Sequence, residues 1–152
     1  MRKEAEKQNT QSRRIRHRQQ QKPAKGNVEK KLTLSTLRKT WIFDLDGTLV
    51  KHNGYLEGED SLLLGGKEFL QSIPKEDYIL ILTGRKPELK EQTERFLEKH
   101  HIRYDAILFG LPLGERILFN DEKPSGLQMA HAVNLARDEG PGTVEIAYEE
   151  GL

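Results

Sequence analysis

Four polar residues stand where short apolar runs end: Asp44 and Asp46 around the end of the run at 41–45, Thr83 after 78–82, and Asp121 after 117–119. Carboxylates this close repel one another, and a shared hard cation relieves the repulsion. Mg²⁺ suits such a cluster, because it takes few protein oxygens, keeps several waters and accepts a phosphate oxygen from a substrate. One carboxylate can attack phosphorus and a second can carry a proton. Gly47 follows the pair and lets the chain turn sharply. The plainer reading of the two aspartates is strand-end capping and turn formation, and that of Thr83 and Asp121 is an ordinary turn residue.

The elements that must position these residues alternate between strand and helix. Residues 41–45 form an apolar run broken by Gly47, as a buried parallel strand does. Residues 61–73 carry apolar side chains at helical spacing and stop at Pro74. The run YILIL at 78–82 predicts a second buried strand, and 87–100 a charged helix with Glu91 four residues before Arg95. Short strands follow at 106–109 and 117–119. Ser125 can cap a helix reaching Arg137, with Gly140 past its end. Residues 143–148 predict a last, edge strand. The alternation predicts a doubly wound parallel α/β sheet. In such sheets ligands bind beyond the carboxyl ends of the strands, where the four polar residues lie.

With these residues in place the chain resembles the haloacid-dehalogenase-like phosphatase superfamily. Phe43-Asp44-Leu45-Asp46-Gly47-Thr48-Leu49-Val50 looks like its first motif, Leu82-Thr83-Gly84-Arg85 like its second, and Phe119-Asn120-Asp121 like its fourth. The resemblance spans about 39–137. A narrower one, resting on Gly114-Glu115-Arg116 and on 120–126, is to small members among bacterial surface-polysaccharide and sugar-phosphate genes. The resemblance implies a Rossmann-like core, Mg²⁺, and phosphomonoester hydrolysis through an aspartyl-phosphate. It makes Asp44 the nucleophile and Asp46 the general acid and then base. It makes Thr83 and the Gly84 N–H phosphate ligands, and Asp44, Asp46 through its backbone carbonyl, and Asp121 the metal ligands. The interval between the first motif and the next helix is a short flap, and the interval after Thr83 is equally brief. Both cap positions therefore look empty, which implies a macromolecular substrate or a second subunit covering an open site.

The third motif departs from the pattern. The family places a Lys or Arg against the nucleophile and the phosphate, and Leu111 stands where it is expected. Arg116 begins the run at 117–119; as a strand this would set it about 16 Å from Asp121, at the wrong end of the sheet. Lys123 lies just past Asp121 on the correct edge and is the favoured base, catalytic and phosphate-binding. Arg85 and Lys86 are alternatives. His52, in the flap, reads as an exposed side chain or a substrate contact.

The formal charge of +1 conceals an asymmetry: residues 1–40 carry +10 and the remainder −9. The basic arm, residues 1–38, reads as a solvated extension before a domain at 39–152. Its sharper reading is an electrostatic tether to nucleic acid. It holds no Trp, Phe or Tyr for stacking on bases. The chain has no cysteine, which excludes disulfides, thiolate metal sites and cysteine nucleophiles, and fits a cytoplasmic setting. No apolar run is long enough to span a bilayer. The leading expectation is a Mg²⁺-dependent phosphomonoesterase acting on a sugar phosphate. The alternatives are a nucleic-acid end phosphatase held by the basic arm, and a non-catalytic phosphate-binding protein of the same fold.

Overall fold

The computed structural model describes residues 30–152. In chain order these form β1 (Lys30–Ser35), β2 (Thr40–Asp44), α1 (Gly66–Ser72), β3 (Tyr78–Leu82), α2 (Lys90–Lys99), β4 (Ala106–Leu108) and β5 (Val144–Glu149), with single 3₁₀ turns at Gly54–Glu57, Pro87–Leu89 and Pro141–Thr143. The strands β2, β3 and β4 make a parallel sheet in that order; β1 and β5 pair, also parallel, in a second sheet.

Period-two alternation decides which face of the three-stranded sheet is buried. Trp41 and Phe43 stand opposite Ile79 and Ile81 across β2 and β3, and Ile107 continues the row on β4. Leu70 and Ile73 of the α1 region and Phe96 and Leu97 of α2 join this row in one core cluster. Phe69 meets the Trp41 and Phe43 rings edge-on, at centroid distances of 6.1 and 6.0 Å. The crossovers β2–α1–β3 and β3–α2–β4 are what parallel pairing requires. The opposite face carries Ile42, Tyr78 and Leu108, each about half exposed.

The parallel α/β character matches the expectation, and so do the elements at 41–45, 78–82, 87–100 and 106–109 to within a residue or two. Three parts differ. The helix expected from Ser61 begins only at Gly66, because Leu62 pairs with Val50 and the Leu63 N–H bonds the Leu49 carbonyl, holding that stretch extended. The edge strand expected at 143–148 is β5, but its partner is β1. The Leu32/Leu34 alternation of β1 was hidden in a segment read as basic arm, and the expected boundary at 38/39 falls between β1 and β2. The arm's residues 1–29 lie outside the described residues.

The strand expected at 117–119 and the helix expected at 125–137 are not formed among the described residues. The geometry gives a reason. Gly110, at φ 71°, turns the chain after β4. Arg116 then donates to the carbonyls of Pro112 and Gly114, at 2.8 and 2.9 Å, and reaches the Asp44 carboxylate. A parallel partner for β2 must start at its amino end, whereas the run here starts beside its carboxyl end. Leu113 and Phe119 are consequently almost fully exposed. No helix among the described residues is long and apolar enough to cross a membrane.

Candidate active site

The ladder of β2 continues one residue past Asp44, through the Leu45 N–H to the Leu82 carbonyl at 3.2 Å. The chain then reverses. The Leu45 carbonyl accepts from the N–H groups of Thr48, Leu49 and Val50, and Gly47 holds φ 87°. A side chain at Gly47 would meet Arg137 Cγ at 3.2 Å besides straining the backbone. Buried Leu45, Leu49 and Val50 anchor this turn in the core. The turn separates the two aspartates into different surroundings.

Asp44 is the open one. Its nearest partners are the Thr48 hydroxyl, donating at 3.5 Å, and the Arg116 guanidinium at 3.8 Å. Desolvation by the surrounding protein pushes its carboxyl above the usual carboxylate range; Arg116 pulls it back, Asp46 adds to the rise, and Thr48 and His52 pull down less strongly. Asp46 is the clasped one. Arg85 donates to it from Nε, at 2.9 and 3.2 Å to the two oxygens, and from Nη2 at 2.8 Å. The Thr83 hydroxyl donates to the same carboxylate at 3.4 Å and accepts the Arg85 N–H at 3.1 Å.

Arg85 also holds the flap. Its Nη1 and Nη2 form a fork on Asp60, both at 2.7 Å, Nη1 donates to Thr93 at 3.0 Å, and the Tyr55 ring lies 4.4 Å from the guanidinium carbon. Burial works against the charge, but the hydrogen bonds Arg85 donates to Asp60 and Asp46 outweigh it and raise its pKa. The sequence left Arg85 among several candidate bases. A signal was present: Thr93 shares a helix face with Phe96 and Leu97, so its hydroxyl points inward and needs a partner.

The structure thus brings Asp44, Asp46 and Thr83 together at the carboxyl ends of β2 and β3. Gly84 lies under the loop after β4, where an added Cβ would meet the Leu113 Cδ2 and stand 3.4 Å from the Leu111 carbonyl oxygen. The Leu111 N–H bonds the Thr83 carbonyl at 3.1 Å. Arg116, set aside on the assumption of a strand at 117–119, stands at Asp44, folded back on the carbonyls of its own loop. Lys123 and Asn120 line the same cavity of 1310 Å³ as Asp44 and Thr48, and Lys123 has no ion pair among the described residues. Asp121 is exposed, and the contact found for its carboxylate is with the amide of Asn120 at 3.5 Å. Lys86 is exposed; His52 donates its backbone N–H to Asp138 at 2.7 Å.

A divalent cation needs several oxygens at once. Asp44 offers an open carboxylate, both carboxylate oxygens of Asp46 are engaged by Arg85, which leaves its backbone carbonyl, and Asp121 lies apart. Among the described residues no three Asp, Glu or His side chains converge on a metal-sized site. The residues as arranged offer the implied Mg²⁺ the Asp44 carboxylate and the Asp46 carbonyl, and do not bring Asp121 to them.

No family model matches the chain, and no curated protein does. Two solved chains are similar to it in part. One, from "Structure of Pnkp1/Rnl/Hen1 complex", is 31% identical over 54% of this chain and 31% of its own length, with a TM-score of 0.43. The other, from "Structure of the Pnkp1/Rnl/Hen1 RNA repair complex", is 32% identical over 56% of this chain and 30% of its own length, with a TM-score of 0.42. The match thus spans under a third of either solved chain.

Proposed function

We propose that the chain is a phosphomonoesterase of the haloacid-dehalogenase-like type, with Asp44 as its nucleophile. One observation carries the reading: at the carboxyl end of β2, an edge strand of the parallel sheet, an open carboxylate faces a cation, and a second carboxylate two residues on is held by a buried arginine. An Asp44 oxygen attacks phosphorus, the bond from phosphorus to the leaving oxygen breaks, and an aspartyl-phosphate forms. The resemblance gives Asp46 the proton transfers: it passes a proton to the leaving oxygen and takes one from the water that then attacks phosphorus, freeing Asp44 and inorganic phosphate, and for this one of its contacts with Arg85 or Thr83 must loosen. Arg116 neutralises charge as two anions approach, and Lys123, which lines the same cavity as Asp44, is the second candidate base. The resemblance implies Mg²⁺ as well, so metal dependence belongs to the test.

A polynucleotide end is the second reading of the substrate, favoured by the +10 carried on residues 1–40. Nothing in the geometry selects a sugar phosphate over it. The complexes containing the two partly similar chains include one described as an RNA repair complex, and RNA ends therefore join the panel.

The test is phosphate release from sugar phosphates, nucleotides and 3′-phosphorylated RNA and DNA, with Mg²⁺ and with EDTA, for wild type and Asp44→Asn. Turnover that Asp44→Asn abolishes is expected. A polynucleotide substrate would show kcat/KM falling steeply with salt, and losing that slope when residues 1–29 are trimmed. Turnover that survives in Asp44→Asn, or none on any substrate, would overturn the reading.

A further inference from the structure

A guanidinium has five N–H donors and no more. At Arg85 all five are spent: Nε–H on Asp46, the two of Nη1 on Asp60 and Thr93, and the two of Nη2 on Asp46 and Asp60. Its side chain is 2% exposed and Tyr55 covers one face. No donor remains for a phosphate, so Arg85 does not act as the substrate-binding base. Its partners instead come from three places: Asp46 from the turn after β2, Asp60 and Tyr55 from the flap, Thr93 from α2.

We propose that Arg85 is a positioning residue that couples the flap, residues 51–64, to Asp46. Planarity makes the coupling rigid. The fork on Asp60 fixes the plane of the guanidinium, and the other edge of that plane fixes the carboxylate of Asp46. With the flap seated, Asp46 is held in one rotamer beside Asp44. With the flap displaced, Asp60 and Tyr55 leave together and the guanidinium loses the contacts that set its plane. A lysine cannot replace this, because a point charge has no plane to transmit. The kinetic part of the inference rests on the phosphatase reading; the structural part does not.

The experiment uses the full chain with ¹⁵N-labelled arginine and ¹³C-labelled aspartate, as wild type, Asp60→Asn and Arg85→Lys. The expected wild-type spectrum shows the Nη resonances of Arg85 resolved, as hindered rotation requires. In Asp60→Asn they merge and the Asp46 carboxyl resonance moves, while kcat falls on the order of 10²-fold from misplacement and KM holds within about threefold. Arg85→Lys does not restore kcat. Should Arg85→Lys fail to fold, Asp60→Asn, which keeps a hydrogen-bonding side chain of the same shape, decides alone. Merged Nη resonances in wild type, an unmoved Asp46 resonance in Asp60→Asn, or a raised KM with kcat unchanged would overturn the proposal. If the wild type releases no phosphate, the phosphatase reading falls, and the two resonances still decide the coupling.

Discussion

Arg116 Nη2 stands 3.8 Å from Asp44 Oδ1, although residues 111–137 form neither strand nor helix. The pairing comes from local geometry, since the Pro112 and Gly114 carbonyls fold the arginine back on its own loop. Both side chains are about two-fifths exposed. An ion pair this open and this long contributes about 0–1 kcal/mol to stability. Its consequence lies in the charge it sets beside the proposed nucleophile.

Arg116→Ala should therefore leave the melting temperature nearly unchanged and lower kcat/KM on the order of 10²-fold, as removal of one preorganised donor does elsewhere. Lys123→Ala, made in parallel, tests the base favoured on sequence position. The larger loss in kcat/KM identifies the residue that meets the phosphate. A loss confined to Lys123→Ala would reduce the Arg116 contact to a surface pair.

The Asp44 carboxyl lies above its ordinary value of 3.8, mainly through desolvation, with Arg116 opposing the rise. Between 3.8 and the raised value the folded chain holds more proton than the unfolded chain, so stability from this group falls as pH rises through that window. Asp44→Asn removes the effect. Urea unfolding should show the variant more stable than wild type near neutral pH, with the difference closing in acid. Activity needs the ionised carboxylate, so the acid limb of the pH–rate profile should move upward in Arg116→Ala. A downward shift would contradict the cause assigned to Arg116.

What was legible in the sequence was whatever depends on short-range pattern. The apolar runs ending at Asp44 and at Leu82 needed only breakers and alternation to be read as strands, and Asp44, Asp46 and Thr83 follow from where those runs end. The rest depends on distant partners. Arg85 looks like a surface base until Asp60, 25 residues before it, and Thr93, eight after it, are known to face it. The run at 117–119 has strand composition, but Arg116 is held at the wrong end of β2 for parallel pairing. The Lys30–Ser35 strand has the right alternation, and its basic residues masked it.

Asp77 joins the amino ends of β2 and β3. Its carboxylate is buried and accepts the Trp41 indole N–H at 2.8 Å and the Lys39 N–H at 3.0 Å. Asp77→Ala leaves both half-buried donors without this acceptor, and the cost of an unpaired buried group, about 1–3 kcal/mol, is an upper bound for each. Chemical denaturation should show a loss of about 3 kcal/mol with an unchanged slope. Asp77→Asn keeps one acceptor oxygen and should lose less. Equal losses would mean that packing around the side chain, and not acceptance by its two oxygens, holds these strand ends.

Gly65 is where α1 begins and where the chain near β5 approaches it. It holds φ 76°, and a Cβ there would lie 2.7 Å from the Gly142 Cα, which is backbone and cannot swing away. Gly126 has a similar φ of 83° but nothing within 4 Å of its would-be Cβ. Alanine at Gly126 should thus cost only the left-handed strain of about 1–2 kcal/mol. Alanine at Gly65 should add a backbone clash, bringing the total to about 3 kcal/mol or more, by analogy with overpacking. The difference between the two variants isolates the contact between the start of α1 and the turn at Pro141–Thr143. Since that turn leads straight into β5, Gly65→Ala should also speed hydrogen exchange along the β1–β5 pairing. Equal stability losses, with exchange unchanged, would show that the two segments can separate freely and that their approach does not hold the second sheet to the first.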